Sequence, residues 1–179
     1  MELNLNIRNP LFIVFEGIDG SGKTTVSNMT VEFLKNYGID VEHFAEPSQG
    51  VTGRKIRNLL KSPIAPDPDV MLGLFLEDRE EDVSLRITPS LESGKTVILD
   101  RYYFSNAAYQ GASGLSYKRI LKANTDRKFP RPDRVYLLDL HPSESLLRVE
   151  TRNEEDGGPR EMFEKESFLS EVSKIYHLI

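Results

Sequence analysis

The chain contains no cysteine and no tryptophan. Without thiols it has no disulfide, no thiolate metal site and no cysteine nucleophile, the usage expected of a cytoplasmic protein. Positive charge is also short, since 23 Lys and Arg against 28 Asp and Glu leave a formal charge of −5. A general nucleic-acid binder needs a basic surface to displace phosphate counterions, so no nucleic-acid partner is expected. No apolar run approaches the ~18 residues of a membrane span. Met1–Pro10 lacks the basic-then-apolar order of a secretory signal. Internal repeats and low-complexity tracts are absent as well.

What is present is an ordinary globular composition, 39% hydrophobic and 28% charged over 179 residues. That length suits a single domain, residues 1–179, with one core. Leu11–Phe15 is a wholly apolar run bounded by Pro10 and Gly17, as in a strand buried on both faces. Val26, Met29, Phe33 and Tyr37 then recur at spacings of three and four before Gly38, which predicts an amphipathic helix with its stop. Val41–Ala45, Thr96–Leu99 and Val135–Leu138 read as further strands. Helices are expected over Thr52–Leu60, Asp69–Arg86 (interrupted near Pro89), 103–111, 116–126, Ser143–Arg152 and Glu161–Ile179. A polar loop, Asn153–Pro159, separates the last two. Strands alternating with helices imply βαβ units, so the fold class is α/β, a parallel sheet covered on both faces.

Between the first strand and the first helix lies Gly17-Ile18-Asp19-Gly20-Ser21-Gly22-Lys23-Thr24, which satisfies G-x-x-x-x-G-K-[ST] at every fixed position. Glycines let successive backbone N–H groups turn inward onto phosphate oxygens, and the following helix N-terminus adds partial positive charge. In this pattern Lys23 bridges the β- and γ-phosphates of a nucleoside triphosphate and the Thr24 hydroxyl ligates Mg²⁺. ATP-binding residues are therefore expected at Gly17, Ile18, Asp19, Gly20, Ser21, Gly22, Lys23, Thr24 and Thr25.

A GTPase would carry an N-K-x-D segment, and Asn124-Thr125-Asp126 lacks the lysine. A small kinase instead needs a basic pocket for an anionic acceptor. Asp100-Arg101-Tyr102 leaves the strand Thr96–Leu99 at its carboxyl end, where open α/β sheets bind ligands. Asp100 is placed to organise a Mg²⁺ shell and Arg101 to pair with phosphate oxygens. Asp139 ends a strand in the same way, but Leu140-His141-Pro142 supplies no basic partner, so Asp100 is the preferred carboxylate. The three histidines, at 43, 141 and 177, show no metal-ligand spacing.

These residues resemble the thymidylate kinase family. The resemblance rests on Phe15–Thr25, Glu46-Pro47, Gly53-Arg54-Lys55-Ile56-Arg57, Leu74–Glu80, the segment Pro89–Lys95, Asp100–Gly111 (DRYYFSNAAYQG) and Arg131-Pro132-Asp133. It implies a P-loop NTPase fold and an ATP- and Mg²⁺-dependent kinase that phosphorylates dTMP to dTDP for dTTP synthesis. Relatives are homodimers, and the apolar stripe of Asp69–Arg86 is one candidate contact. They also continue into a further strand and a closing helix, so a shorter sheet is expected here: four strands in the order 2-3-1-4, the fifth missing, with one edge less covered.

Carried onto matching positions, the resemblance places Phe75 on the pyrimidine ring and Arg79 on its O4 edge. Arg57 and Arg101 hold the acceptor's 5′-phosphate, Asn106 and Gln110 reach the base, and Tyr109 packs near the sugar's 2′ carbon. Asp19 and Glu46 approach the sugar or the metal-water shell. Lys23, Asp100 and Arg101 are the catalytic candidates. Because the loop carries no arginine, a lid over residues 152–160 is expected to supply one, Arg152 or Arg160. Taken by their surroundings alone, Phe75 in the run Leu72–Leu76 reads as core and Arg79, among Glu77, Asp78, Glu80 and Glu81, as part of a solvated face. Two alternatives stay open, a related nucleotide or deoxynucleoside kinase with another acceptor and a catalytically impaired P-loop protein.

Overall fold

The computed structural model describes residues 9–62, 64, 66–156 and 165–179, with backbone alone for 152–156. Strands β1 (Phe12–Glu16), β2 (Val41–Ala45), β3 (Thr96–Asp100) and β4 (Arg134–Leu137) form a parallel sheet in the order β2-β3-β1-β4. This is the expected order. Period-two alternation in the central strands divides their side chains between two cores. Phe12, Val14, Val97 and Leu99 point to one face, where Ile87 and Tyr102 cover them. Ile13, Phe15 and Ile98 point to the other, against Val31 and Leu34 of helix α1 (Lys23–Asn36).

Helix α1 forms where its periodicity predicts, but its apolar stripe faces the wrong way. Its buried residues are Lys23, Ser27, Val31 and Leu34, while Met29 and Phe33 are 64% and 45% exposed. The rotation of the helix is set at its first residue. The loop turns Lys23 inward, and positions four, eight and eleven further on follow it onto the sheet. Val26, Met29, Phe33 and Tyr37 form a second stripe of the same period, which periodicity alone cannot distinguish from the first.

Helix α2 (Val51–Leu60) leads to α3 (Pro68–Asp82), which Asp67 caps by accepting from the amides of Asp69 and Val70. The expected interruption near Pro89 does not occur there. The chain instead widens into a π-helical turn, Val83–Ile87, and resumes as α4 (Thr88–Glu92) with Pro89 in its first turn. Four leucine and methionine residues of α3 are used inside the protein, Met71 and Leu74 against Ile56, and Leu72 and Leu76 against Ala107 and Ile120, while Val70 is exposed.

Helices α5 (Tyr103–Ala112), α6 (Tyr117–Asp126), α7 (Pro142–Asp156) and α8 (Glu166–Tyr176) complete the order. Helix α7 runs four residues beyond the expected Arg152, into the segment read as loop. Among the described residues β4 is an edge strand, with Val135, Tyr136 and Leu137 exposed.

Candidate active site

The glycine-rich loop joins β1 to α1. Gly20 sits at φ +76°, and a Cβ there would lie 2.6 Å from the carbonyl oxygen of Ser145 on α7, so only glycine fits. The Ser145 hydroxyl in turn donates to the Asp19 carbonyl and pins the loop to α7. Lys23 Nζ donates to the Ile18 carbonyl (2.8 Å) inside the loop. Burial, helped by the nearby Arg101 charge, lowers the Lys23 ammonium to about 8.

Thr24 donates its hydroxyl to Asp100 Oδ2 (2.6 Å) across the carboxyl ends of β1 and β3. Asp100 Oδ1 is buried and has no hydrogen-bond partner among the described residues, and the same holds for Ser21 Oγ in the loop. Such orphaned oxygens normally have a missing partner. A carboxylate oxygen with a free lone pair beside a threonine hydroxyl fits Mg²⁺. Asp139, the rival carboxylate, is exposed and paired with His177 Nε2 (3.0 Å).

Arg101 holds a left-handed backbone, φ +71°, that side chains other than glycine rarely adopt. Glu16 explains how it persists. Buried at the end of β1, Glu16 Oε1 accepts from the amides of Tyr102 (2.8 Å) and Ser105 (3.3 Å), capping α5 from another strand. Its Oε2 accepts from the hydroxyls of Ser105 and Tyr176 (3.0 Å for the latter). Burial raises its pKa, against the pull of those hydrogen bonds and of the Arg101 charge.

Arg101 then reaches back to the loop, donating to the Gly17 carbonyl (3.2 Å), the Ser105 hydroxyl (3.0 Å) and Asp19 Oδ1 (2.5 Å). Tyr109 donates to Asp19 Oδ2 (2.7 Å) and accepts from the Asp19 amide (3.1 Å). Burial works to raise the Asp19 carboxyl, but Arg101, Lys23 and the Tyr109 hydrogen bond hold it at about 2.

Beside the loop opens a cavity of about 280 Å³ whose walls include Asp19, Glu46, Arg57, Phe75, Arg79, Arg101, Asn106, Tyr109 and Gln110. All nine residues expected to bind the acceptor thus surround one space. Phe75 is half-buried at its wall rather than sealed in the core, and Arg79, only 1% exposed, is no part of a solvated face. The Glu46 amide donates to the Asp100 carbonyl (3.0 Å), and its side chain turns to Arg79. Both its oxygens accept from Arg79 Nε (3.0 Å each), and Oε2 accepts from Nη2 as well. Burial pushes Glu46 up to about 7, with the Arg79 charge pulling it down. Arg57 donates to the carbonyls of Ser48 (2.7 Å) and Pro47. Asn106 Nδ2 donates to Gln110 Oε1 (2.6 Å), leaving the buried Asn106 Oδ1 without a partner among the described residues. Arg160 and the side chain of Arg152 lie outside the described residues.

Four participants escaped the sequence reading: Glu16, Ser105 and Tyr176, which hold the Arg101 corner, and Asn124, which accepts from Arg79 Nη1 (2.6 Å). Glu16 had a usable signal, a lone carboxylate inside an otherwise apolar strand.

A parallel sheet with a lysine-bearing phosphate loop at its carboxyl ends, and an acceptor cavity sharing Asp19 with that loop, defines a P-loop phosphotransferase. A family model for thymidylate kinase matches residues 15–179. The chain is 40% identical over 175 residues to the thymidylate kinase of Leptospira borgpetersenii serovar Hardjo-bovis, covering 98% of this chain and 83% of that one. It is 40% identical over 166 residues to a probable thymidylate kinase of Archaeoglobus fulgidus (93% and 80% covered), and 44% identical over 146 residues to one of Pyrococcus abyssi (79% and 70%). The chain belongs to the thymidylate kinase family.

Proposed function

We propose that the protein transfers the γ-phosphoryl group of ATP to the 5′-phosphate of dTMP, giving ADP and dTDP for dTTP synthesis. One observation supports this reading: the cavity is lined both by Arg79, a donor, and by Asn106, whose buried Oδ1 acceptor has no partner among the described residues. A thymine edge offers the complement, an O4 acceptor beside an N3–H donor. Cytosine offers the reverse and would leave both protein groups unsatisfied. Phe75 supplies an aromatic face for the ring, and Tyr109 fills the space where a ribose 2′-hydroxyl would lie.

Transfer needs alignment and charge neutralisation more than covalent chemistry. Arg57 and Arg101 hold the acceptor phosphate, which is already largely ionised near pH 7, so no general base is required. An acceptor oxygen attacks the γ-phosphorus in line and the ADP oxygen leaves. Because Asp19 belongs to both loop and cavity and Arg101 bonds to the loop from the cavity wall, the two phosphates meet there. Gly17, Ile18, Asp19, Gly20, Ser21, Gly22, Lys23, Thr24 and Thr25 cradle the triphosphate, with Lys23 spanning its β- and γ-groups. Thr24 and Asp100 would hold Mg²⁺, whose charge neutralises phosphate oxygens, the remaining positions falling to phosphate and water. Arg152 or Arg160 closes over the transferring group as an arginine finger does; turnover unchanged in both alanine variants would remove that assignment.

The reading carries with it a cytoplasmic homodimer without nucleic-acid or membrane partners. The cysteine-free composition supports the compartment and the charge of −5 the lack of a nucleic-acid partner, and no helix among the described residues is long and apolar enough to cross a membrane; the homodimer rests on the family resemblance alone. The test is ADP release with ATP·Mg²⁺ and dTMP, dUMP, dCMP, AMP or thymidine. Selective turnover of dTMP is expected. Selectivity for another acceptor would keep the kinase and remove the pocket assignment. ATP binding without transfer would support the impaired P-loop alternative.

A further inference from the structure

Arg79 reads the base only if its guanidinium cannot rotate, and Glu46 alone does not ensure that. The carboxylate grips Nε and one edge of Nη2. The planar group still pivots about that grip, because Nη1 lies at the far end of the fork. Asn124 holds the far end. On α6, only 2% exposed, it accepts from Arg79 Nη1 through Oδ1 (2.6 Å) and donates through Nδ2 to the Ile120 carbonyl one turn earlier (2.8 Å). The second bond fixes the amide the right way round, because a carbonyl accepts only from the NH₂ side and so turns the oxygen toward the arginine. The Tyr102 ring lies 5.2 Å from the guanidinium carbon and closes one face.

Asn124 also lines a separate cavity of about 540 Å³ with Tyr103, Leu121 and Phe129. It therefore stands between that space and the arginine of the acceptor pocket. Without its side chain, Arg79 loses a hydrogen-bond acceptor and gains room to swing away from the base.

We propose that Asn124 is a specificity-determining positioning residue for the acceptor base. With Nε, part of Nη2 and one Nη1 hydrogen engaged by Glu46 and Asn124, the remaining Nη hydrogens are held toward the cavity as a fixed donor pair for a pyrimidine O4. The inference rests on the thymidylate reading above.

The test compares wild-type enzyme with Asn124→Leu, which keeps volume but removes the acceptor, and Asn124→Asp, which keeps an acceptor oxygen. A third variant, Asn124→Ala, serves if leucine prevents folding. Steady-state constants are measured for dTMP, dCMP and ATP, with thermal unfolding alongside. Loss of a hydrogen bond to a charged group is expected to raise KM for dTMP about tenfold while kcat stays within about twofold, the signature of lost binding common to ground and transition states. The dTMP-to-dCMP ratio of kcat/KM should fall about tenfold, KM for ATP should not move, and Asn124→Asp should recover most of the ratio. A purely structural role would lower the melting temperature and the active fraction for both acceptors and leave the ratio unchanged; that result overturns the proposal. If wild-type enzyme itself fails to prefer dTMP over dCMP, the base-reading premise fails instead, and the two failures are told apart by the wild-type ratio alone.

Discussion

Lys23 is costly to the fold, and replacing it with methionine should make the protein more stable and nearly inactive. The side chain is 5% exposed, and burial lowers its ammonium from an ordinary 10.5 to about 8. At 1.36 kcal/mol per pKa unit, keeping it charged in the folded protein at neutral pH costs about 3 kcal/mol. Methionine preserves most of the apolar stem and removes the charge. It also removes the Nζ hydrogen bond to the Ile18 carbonyl, worth about 1 kcal/mol. The expected net gain near pH 7 is about 2 kcal/mol, a rise in Tm of roughly 4–8 °C for a chain of this size. Because the folded pKa lies below the unfolded one, the unfolded chain binds more protons between about 8 and 10.5. Wild-type stability therefore rises with pH across that window, and the advantage of Lys23→Met, full below about 8, fades through it. Circular dichroism melts at several pH values, with and without ATP·Mg²⁺, measure all of this. The variant should lose ATP-induced stabilisation and roughly 10²–10³ in kcat. A Lys23→Met protein that melts below wild type near pH 7, or a pH-independent difference, would refute the reasoning.

Phe75→Ala should raise KM for dTMP by about 5- to 150-fold with little change in kcat, since base stacking on an aromatic face is worth ~1–3 kcal/mol; steady-state kinetics decide it. Gly53→Ala should destabilise the protein by about 1–3 kcal/mol, because the added Cβ would lie 2.0 Å from the backbone oxygen of Ser48. As that same oxygen accepts from Arg57, KM for dTMP should rise too, and normal stability with normal KM would contradict the geometry. Tyr176→Phe removes a hydroxyl bonded to Ser105 Oγ (2.7 Å), Glu16 Oε2 (3.0 Å) and the Gly17 carbonyl (3.3 Å). A loss of about 1–2 kcal/mol in thermal or urea unfolding is expected, with kcat falling because the Arg101 corner loosens.

How much of this was legible in the residues differs from place to place. The strand runs, the phosphate loop and the order 2-3-1-4 were, because each rests on local pattern or on a resemblance spread along the chain. The nine residues expected at the acceptor line one cavity in the structure. Periodicity failed at α1, where two stripes of equal period competed and only the inward Lys23 chose between them. Around Pro89 it missed the π-turn, because a widened turn leaves no mark in hydropathy.

By itself, the sequence determined which short segments become strands and helices, and that Gly17–Thr24 would be a glycine-rich loop between the first strand and the first helix, since those properties follow from neighbours a few residues away. Only the tertiary structure decided what Glu46, Glu16 and Asn124 do. Their partners lie 33, 86 and 45 positions away in Arg79, the Tyr102 amide and Arg79 again. A buried polar group must find its partner wherever the fold brings one, and sequence spacing carries no record of which distant group that will be.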